Sequence, residues 1–230
     1  MDKKELIDRS LNNKGTKEQI TIKADNTILF IGDSITDVGR NRADQADLGQ
    51  GFPQLIAAHL LHQYPNYDLN ILNRGISGDK VVDLKNRWEK DCLELNPELV
   101  TILVGINDVG HIIDQREVPT AEELEKFEED YRFLLKSLAQ RTDARVVLME
   151  PFVLPYPKER VRWREQLDPR IQIVRRLAND YHATLVPLDG ILNAQGIHTD
   201  YQIYTGDDGV HPTLTGHAAI AEAWLTYLNL

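Results

Sequence analysis

One serine of this chain stands where a buried strand is expected to end. The apolar run Thr27–Ile31 leads into a Gly-Asp-Ser turn that ends at Ser34. Such a turn brings the hydroxyl to the carboxyl edge of a sheet, where open α/β folds do their chemistry. Near the other end of the chain, Asp208 stands three residues before His211, a spacing that lets the carboxylate orient one imidazole nitrogen while the other faces a hydroxyl. Together these residue types indicate a hydrolase with a serine nucleophile.

Each of these assignments has an alternative. Of the four serines, Ser10 and Ser137 lie in polar or helical stretches, whereas Ser77 also follows a strand-like run and remains a competing nucleophile. Ser34 is favoured because a helix can begin just after it, and the helix dipole with the Ser34 N–H stabilises an oxyanion. The structural alternative for Ser34 is a helix N-cap. An isolated Asp-x-x-His is equally consistent with a cap or an ion pair.

Two further polar positions follow predicted strands. Asn107, in Gly105-Ile106-Asn107-Asp108, can donate a side-chain N–H to a developing oxyanion, and Gly75 after the second strand can donate its backbone N–H. Removing one such donor costs about 10²–10³ in rate in other enzymes. The alternative is that these glycines serve tight turns and Asn107 caps a helix. Because all these residues follow successive strands, we expect them to meet at one edge of a sheet.

The rest of the chain supplies elements to position these residues. Short apolar runs predict strands at Thr27–Ile31, Leu69–Leu72, Leu99–Val104, Arg145–Met149 and Thr184–Pro187. Helical stripes lie between and after them, including one that runs from Leu124 to Leu138 and one defined by Leu214, Ala218, Ala221, Trp224, Leu225 and Leu228. Alternating strands and helices predict an α/β fold, a three-layer α/β/α sandwich around a parallel sheet of about five strands.

Two segments fall outside this alternation. We predict an N-terminal extension at residues 1–26, followed by a single catalytic domain at residues 27–230. The stretch Val153–Gln166 contains two prolines and three arginines around Trp163, which makes it a candidate lid or subunit contact. Both segments favour a homo-oligomer.

Composition limits the classes of partner. A net charge of −10 without a basic block argues against nucleic acid. Cys92 is the sole cysteine, so no intrachain disulfide can form, and a reducing compartment is favoured. No secretory signal and no apolar run of membrane-spanning length is visible. These features predict a cytoplasmic protein that does not bind membranes.

The combination of motifs resembles the SGNH hydrolases, also called the GDSL esterase/lipase family. Its four sequence blocks occur in order, as Gly32-Asp33-Ser34, Gly75, Gly105-x-Asn107-Asp108 and Asp208-x-x-His211. The resemblance implies a flavodoxin-like fold, with Ser34 as nucleophile, His211 as base and Asp208 as its orienting acid. It also implies an oxyanion hole formed by the Ser34 N–H, the Gly75 N–H and the Asn107 side chain. The G-x-S-x-G elbow of the α/β-hydrolases is absent from the sequence.

Within the family, the chain resembles the carbohydrate-esterase branch that includes acetyl-xylan esterases. The resembling stretches are Gly32–Arg40, Asn73–Gly78, Asp83–Lys85 and Arg87-Trp88. They imply an esterase for short acyl groups on sugars, with acetate as the expected product and no metal or organic cofactor. The predicted substrate contacts are Asp33, Arg74, Trp88 and Asp108. Position 207 is Asp, where relatives of this branch often carry an aromatic residue.

Other functions remain open at this stage. A lysophospholipase or thioesterase would keep the same chemistry. A metal-dependent phosphoesterase would use the set Asp33, Asp37, Asp108, Asp208 and His211. A silent glycan-binding module would use Trp88, Tyr156 and Trp163. For the esterase, a neutral histidine base predicts that activity falls below a pH of roughly 6–6.5.

Overall fold

A parallel sheet forms the centre of the molecule. The computed structural model describes residues 20–114 and 120–230, and in this part five strands follow the order β2-β1-β3-β4-β5. They are β1 (Thr27–Gly32), β2 (Asn70–Asn73), β3 (Leu99–Leu103), β4 (Arg145–Met149) and β5 (Thr184–Val186). All neighbouring pairs are parallel. The five predicted strands are confirmed, each within one residue at either end.

Helices cover both faces of this sheet. They are α1 (Ser34–Asp37), α2 (Phe52–Gln63), α3 (Val81–Asp91), α4 (Ile106–Asp114), α5 (Ala121–Arg141), α6 (Arg164–Asp180), α7 (Leu188–His198), α8 (Tyr201–Thr205) and α9 (Leu214–Leu228), with 3₁₀ helices at Leu93–Leu95 and Lys158–Trp163. Helices α2 and α9 pack together on one face, and α3 and α5 pack on the other. The predicted three-layer α/β/α sandwich is confirmed.

The side chains of β1 alternate between two apolar layers. Ile28 and Phe30 join the layer beneath α2 and α9, whereas Leu29 and Ile31 join the layer beneath α3 and α5, and all four are buried. A strand covered on both faces has no polar side, which explains why the run is continuously apolar. The sheet therefore holds the carboxyl end of β1 between two packed layers.

The buried stripe of α9 differs from the predicted one. Leu214 is 72% exposed and Ala218 is exposed, while His217 and Ile220 are buried in the first half of the helix. An apolar pattern does not predict a buried histidine. In the structure, the His217 Nδ1 accepts a hydrogen bond from the Phe52 N–H at 3.2 Å. This bond joins α9 to the start of α2 and satisfies one nitrogen of a ring that the apolar pattern alone would have placed at the surface.

The predicted N-terminal extension lies largely outside the described residues. Its described end contributes to the core, since Ile20 and Ile22 are buried against the α2/α9 layer. The division at residue 26 and the self-association assigned to this segment stay predictions. Among the residues described, none of the helices combines the length and apolar character needed to cross a membrane.

Candidate active site

The turn after β1 exposes one hydroxyl. Asp33 follows the strand and is 1% exposed, and its side chain accepts a hydrogen bond from the Ile35 N–H at 3.0 Å, which caps α1. Ser34 is the first residue of this helix and is half-buried. Gly32 lies so close to the Leu103 carbonyl oxygen of β3 that a Cβ atom would overlap it. The turn can therefore form only with glycine at that position, and it places Ser34 at the carboxyl edge of β1.

A chain of hydrogen bonds links Ser34 to two residues near the other end of the sequence. Ser34 Oγ lies 3.0 Å from His211 Nε2, and His211 Nδ1 lies 2.6 Å from Asp208 Oδ2. The second carboxylate oxygen of Asp208 accepts the backbone N–H groups of Val210 and His211, both at 2.8 Å. With Nδ1 protonated by this arrangement, Nε2 is free to accept the serine proton, which is the requirement for a general base beside a nucleophile.

The two charged partners shift each other's pKa. Burial raises the pKa of Asp208, but the hydrogen bonds from the His211 ring and from two backbone N–H groups outweigh it and hold the pKa at about 2. The hydrogen bond to Asp208 raises the pKa of His211 above its ordinary value, against the opposing effect of partial burial. Asp208 is therefore ionised over the neutral pH range, and its charge favours the protonated form of His211.

The loop that carries Asp208 and His211 is held by a neighbouring segment of the same chain. Gly209 has φ of +75°, and a Cβ atom there would overlap the Tyr156 carbonyl oxygen. The Leu154 N–H donates to the Gly209 carbonyl at 2.8 Å. After the loop, Thr213 caps α9 by accepting the Gly216 N–H. The triad loop is thus fixed on one side by the segment after β4 and on the other by α9.

Comparison with known proteins agrees with this geometry. A family model described as GDSL-like lipase/acylhydrolase matches residues 30–219. The chain belongs to this family. It is a carboxylic ester hydrolase. An acetylxylan esterase from Geobacillus stearothermophilus is 34% identical over 205 residues, which are 86% of this chain and 91% of that protein.

Solved structures of GDSL hydrolases superpose on most of the chain. A protein from Parabacteroides merdae described as a GDSL-like lipase has a TM-score of 0.84 at 34% identity, covering 92% of this chain and 99% of its own. The acetylxylan esterase crystal structure from Geobacillus stearothermophilus has a TM-score of 0.81 at 31% identity, covering 92% of this chain and 97% of its own. Two further structures of that esterase are catalytic mutants, in which a serine or an aspartate is replaced by alanine.

In this GDSL hydrolase, the oxyanion donor predicted at Gly75 is wrong. The single N–H of Gly75 donates to Asn73 Oδ1 at 2.8 Å in a buried contact, so no hydrogen is left for a substrate oxygen. Gly78, in the same loop, is exposed with φ of +89°, and its N–H has no hydrogen-bond partner among the described residues. Asp79, the next residue, accepts a hydrogen bond from the Asn107 side chain at 3.0 Å. This contact brings Gly78 beside Asn107. The Ser-Gly-Asp turn signal is the sequence feature that could have indicated Gly78 as a donor.

Two other donors are open. Asn107 uses only one of its two amide hydrogens for the Asp79 carbonyl. The Ser34 N–H begins α1 and has no acceptor within the described ranges. Asp108, the residue after Asn107, accepts a hydrogen bond from the Val81 N–H at 3.3 Å and so holds the start of α3 against α4. Asn107 and Asp108 thus fix the loop that contains Gly78, a positioning role that differs from the substrate contact predicted for Asp108.

Three more predicted substrate contacts are buried. Asp33 is 1% exposed beneath Ser34, and burial, only partly offset by the Ile35 N–H, raises its pKa to about 7. Arg74 donates to the carbonyl groups of Asn73 and Gln45. Trp88 is 1% exposed in the core and donates to the Ser137 hydroxyl at 2.9 Å. Asp33 and Trp88 are 1% exposed and Arg74 is 8% exposed, so the structure speaks against substrate contacts at these positions.

The competing serine is held by an ion-pair cluster. Ser77 Oγ donates to Asp37 Oδ2 at 2.7 Å, and the Ser77 N–H donates to the same atom at 2.9 Å. Arg42 pairs with this carboxylate at 2.7 Å, and Arg40 joins Asp37 to the Gly75 carbonyl. A carboxylate that already accepts hydrogen bonds from two arginines is a poor base, so Ser77 lacks the activation that Ser34 has.

The residues that a metal-dependent phosphoesterase or a glycan-binding module would use do not form a common site in the described part of the chain. Asp37 pairs with arginines and Asp108 accepts the Val81 N–H. No cluster of three or more metal-ligating side chains occurs in the described part of the chain. Of the aromatic residues proposed for a glycan platform, Trp88 and Trp163 are buried and Tyr156 is 36% exposed.

Proposed function

We propose that this protein is a serine esterase that removes short acyl groups, acetyl in particular, from carbohydrate hydroxyls, with acetylated xylo-oligosaccharides as the substrate class. The observation that carries the proposal is the hydrogen-bond chain from Ser34 through His211 to Asp208. The acetylxylan esterase relatives support the choice of acyl group and of sugar. Catalytic mutants of one relative at a serine and an aspartate support a role for those residue types.

In the first step, Ser34 Oγ attacks the ester carbonyl while His211 Nε2 takes its proton. The ionised Asp208 stabilises the imidazolium, since its carboxylate accepts the Nδ1–H at 2.6 Å. The tetrahedral oxyanion is stabilised by the N–H groups of Ser34 and Gly78 and by the Asn107 amide. Collapse of this intermediate returns the His211 proton to the leaving sugar hydroxyl and leaves an acyl group on Ser34.

In the second step, water replaces the sugar. His211 takes a proton from the water, the resulting hydroxide attacks the acyl-enzyme, and the same donors hold the second oxyanion. The proton then returns to Ser34 Oγ as the carboxylic acid leaves. Exposure favours both steps, because the His211 side chain is 58% exposed and can receive substrate and water from solvent.

The experiment that tests the proposal measures hydrolysis of p-nitrophenyl acetate, butyrate and octanoate by the native protein, Ser34→Ala and Ser77→Ala. We expect the native rate to be highest on acetate, and Ser34→Ala to lower kcat by about 10⁶-fold. Ser77→Ala serves as the matched control and is expected to retain most activity. Acetylated xylo-oligosaccharides are then assayed for acetate release.

The outcomes separate the parts of the proposal. Undiminished hydrolysis by Ser34→Ala would overturn the nucleophile. Activity confined to octanoate would keep the nucleophile and move the substrate to lipids. Activity on p-nitrophenyl acetate with no acetate released from any acetylated xylo-oligosaccharide would overturn the carbohydrate class alone.

A further inference from the structure

The segment after β4 packs on the loop that carries the triad acid. The stretch Val153–Gln166 is predicted to be a lid or subunit contact, but within this chain its first part is buried, with Leu154 at 0% exposure. Its Leu154 N–H donates to the Gly209 carbonyl, and the Gly209 backbone lies directly against the Tyr156 carbonyl. Part of this segment is therefore a wall of the active-site loop.

One arginine of this segment contacts the triad acid's own backbone. Arg160 Nε donates to the Asp208 carbonyl oxygen at 2.6 Å, and its guanidinium lies 3.9 Å from the centroid of the Trp163 ring. Trp163 is 8% exposed and rests on Gly110 of α4, where a Cβ atom would be 3.0 Å from the indole. Arg160 is thus held between a buried ring and the Asp208 backbone, which restricts it far more than an ordinary surface arginine.

A neighbouring arginine provides the contrast. Arg162 belongs to the same 3₁₀ helix and is exposed, and its side chain forms no hydrogen bond or ion pair with any residue in the described ranges. The two arginines carry the same charge on the same short helix. Only Arg160 reaches the triad loop, so its contact follows from its position and not from a general positive charge on the segment.

We propose that Arg160 is a positioning residue of the esterase: by holding the Asp208 carbonyl against Trp163, it fixes the direction in which the Asp208 carboxylate meets His211. The inference rests on the proposed triad. The Asp208 side chain must accept three hydrogen bonds at once, two from backbone N–H groups and one from the imidazole. A small rotation of the Asp208 backbone would lengthen all three, so a fixed carbonyl on its other side preserves the geometry.

The Arg160 guanidinium also affects the pKa of His211. The charged groups that face His211 are Asp208, buried Asp33 and Arg160. Both carboxylates raise the pKa of the imidazole and Arg160 lowers it. Because His211 must be neutral to act as base, loss of Arg160 would move the acid limb of the activity profile to higher pH.

The test compares Arg160→Gln, Arg160→Lys and the control Arg162→Gln. For Arg160→Gln we expect kcat to fall about 10-fold with KM little changed, and the acid limb of kcat/KM to move to higher pH. Arg160→Lys retains the charge without the planar fork, so the acid limb returns while kcat stays low. Arg162→Gln is expected to match the native protein in both. A native kcat and pH profile in Arg160→Gln, or an equal effect in Arg162→Gln, would overturn the proposal.

A double-mutant cycle separates this inference from the triad itself. In an Asp208→Ala background, Arg160→Gln should cause no further loss of kcat, since the residue that it positions is gone. The same 10-fold loss in both backgrounds would indicate a general effect on folding and overturn the positioning role, while the large loss caused by Asp208→Ala alone would keep the triad. Native activity in Asp208→Ala would instead overturn the proposed function.

Discussion

Two aspartates near Ser34 have pKa values shifted in opposite directions by their surroundings. Asp208 accepts three hydrogen bonds and its pKa falls to about 2, whereas Asp33 is buried with one backbone donor and its pKa rises to about 7. The first is a permanent anion next to the base. The second is a carboxyl group that is neutral over much of the acidic range, and it caps the helix on which the nucleophile sits.

The pH dependence of activity follows from His211. Its hydrogen bond to Asp208 raises its pKa above the ordinary value of 6.5, and the base works only when neutral. We expect kcat/KM for p-nitrophenyl acetate to fall about tenfold per pH unit below that raised pKa. Asp208→Asn removes the main cause of the shift, so its residual activity, lower by about 10⁴-fold, should have an acid limb at lower pH than the native protein.

The control for this profile is Asp143→Asn, which changes an exposed aspartate far from the loop in sequence. It should reproduce the native profile. A native kcat/KM that stays flat from pH 8 to pH 5 would contradict the assignment of His211 as base.

Ser34 could be placed from the sequence because it directly follows a strand whose carboxyl end lies at the edge of the sheet. Asp208 and His211 lie in the loop between α8 and α9 and not at a strand end. Their three-residue spacing indicated that the carboxylate meets the imidazole, and only the combination of motifs indicated that this pair meets Ser34. Gly75 and Trp88 could not be placed in this way. Whether an N–H is already used, as by Asn73 Oδ1, or a ring is turned inward toward Ser137, depends on packing that no local pattern contains.

At the scale of elements, loops at the carboxyl edge are held by other loops as well as by the helices that follow them. The 153–163 segment supports the loop around Gly209, and Asn107 with Asp108 supports the loop before α3. Hydrophobic periodicity predicts α5 and the strands but contains no signal for loop-to-loop contact. That is why the sequence predicted a lid or subunit contact at Val153–Gln166, whereas in the structure part of this segment packs on the loop around Gly209.

Gly209→Ala tests this support. The residue has φ of +75° and an added Cβ atom would overlap the Tyr156 carbonyl oxygen, so the loop must move. We expect kcat to fall at least about tenfold, since the displaced loop carries both Asp208 and His211, and the thermal midpoint to fall by several degrees.

Gly190→Ala is the matched control for this substitution. Gly190 lies inside α7, and no heavy atom outside its helix lies within 4 Å of the added Cβ atom. Alanine favours a helix by up to about 1 kcal/mol over glycine, so this variant should be as stable as the native protein or more so, with native kcat. Equal behaviour of the two variants would contradict the role given to the Gly209 contact.

At the scale of the whole molecule, stability depends on the buried carboxyl groups. Asp33 and Asp108 both have pKa values raised by burial to about 7, compared with about 3.9 for an aspartate in an unfolded chain. Between those values the folded protein binds more protons than the unfolded chain. These two groups therefore make the free energy of unfolding decrease as pH rises from about 4 to 7.

Asp33→Asn isolates one of these groups, because an asparagine oxygen still accepts the Ile35 N–H. We expect its free energy of unfolding to exceed the native value at pH 8 by at most about 4 kcal/mol and to equal it at pH 4. Urea denaturation at both pH values measures the difference, with Asp143→Asn as the exposed control. A gain of equal size at both pH values would show that charge is not its cause.

The hydrogen bond between Ser34 and His211 joins residues 177 positions apart. Ser34 follows β1, which occupies an interior place in the sheet, and His211 precedes α9, which packs on α2. A refolding chain can therefore regain helical circular dichroism and most of its sheet while it still hydrolyses nothing. Recovery of ester hydrolysis during refolding would report when α9 has packed and brought His211 to Ser34, a step that circular dichroism does not resolve.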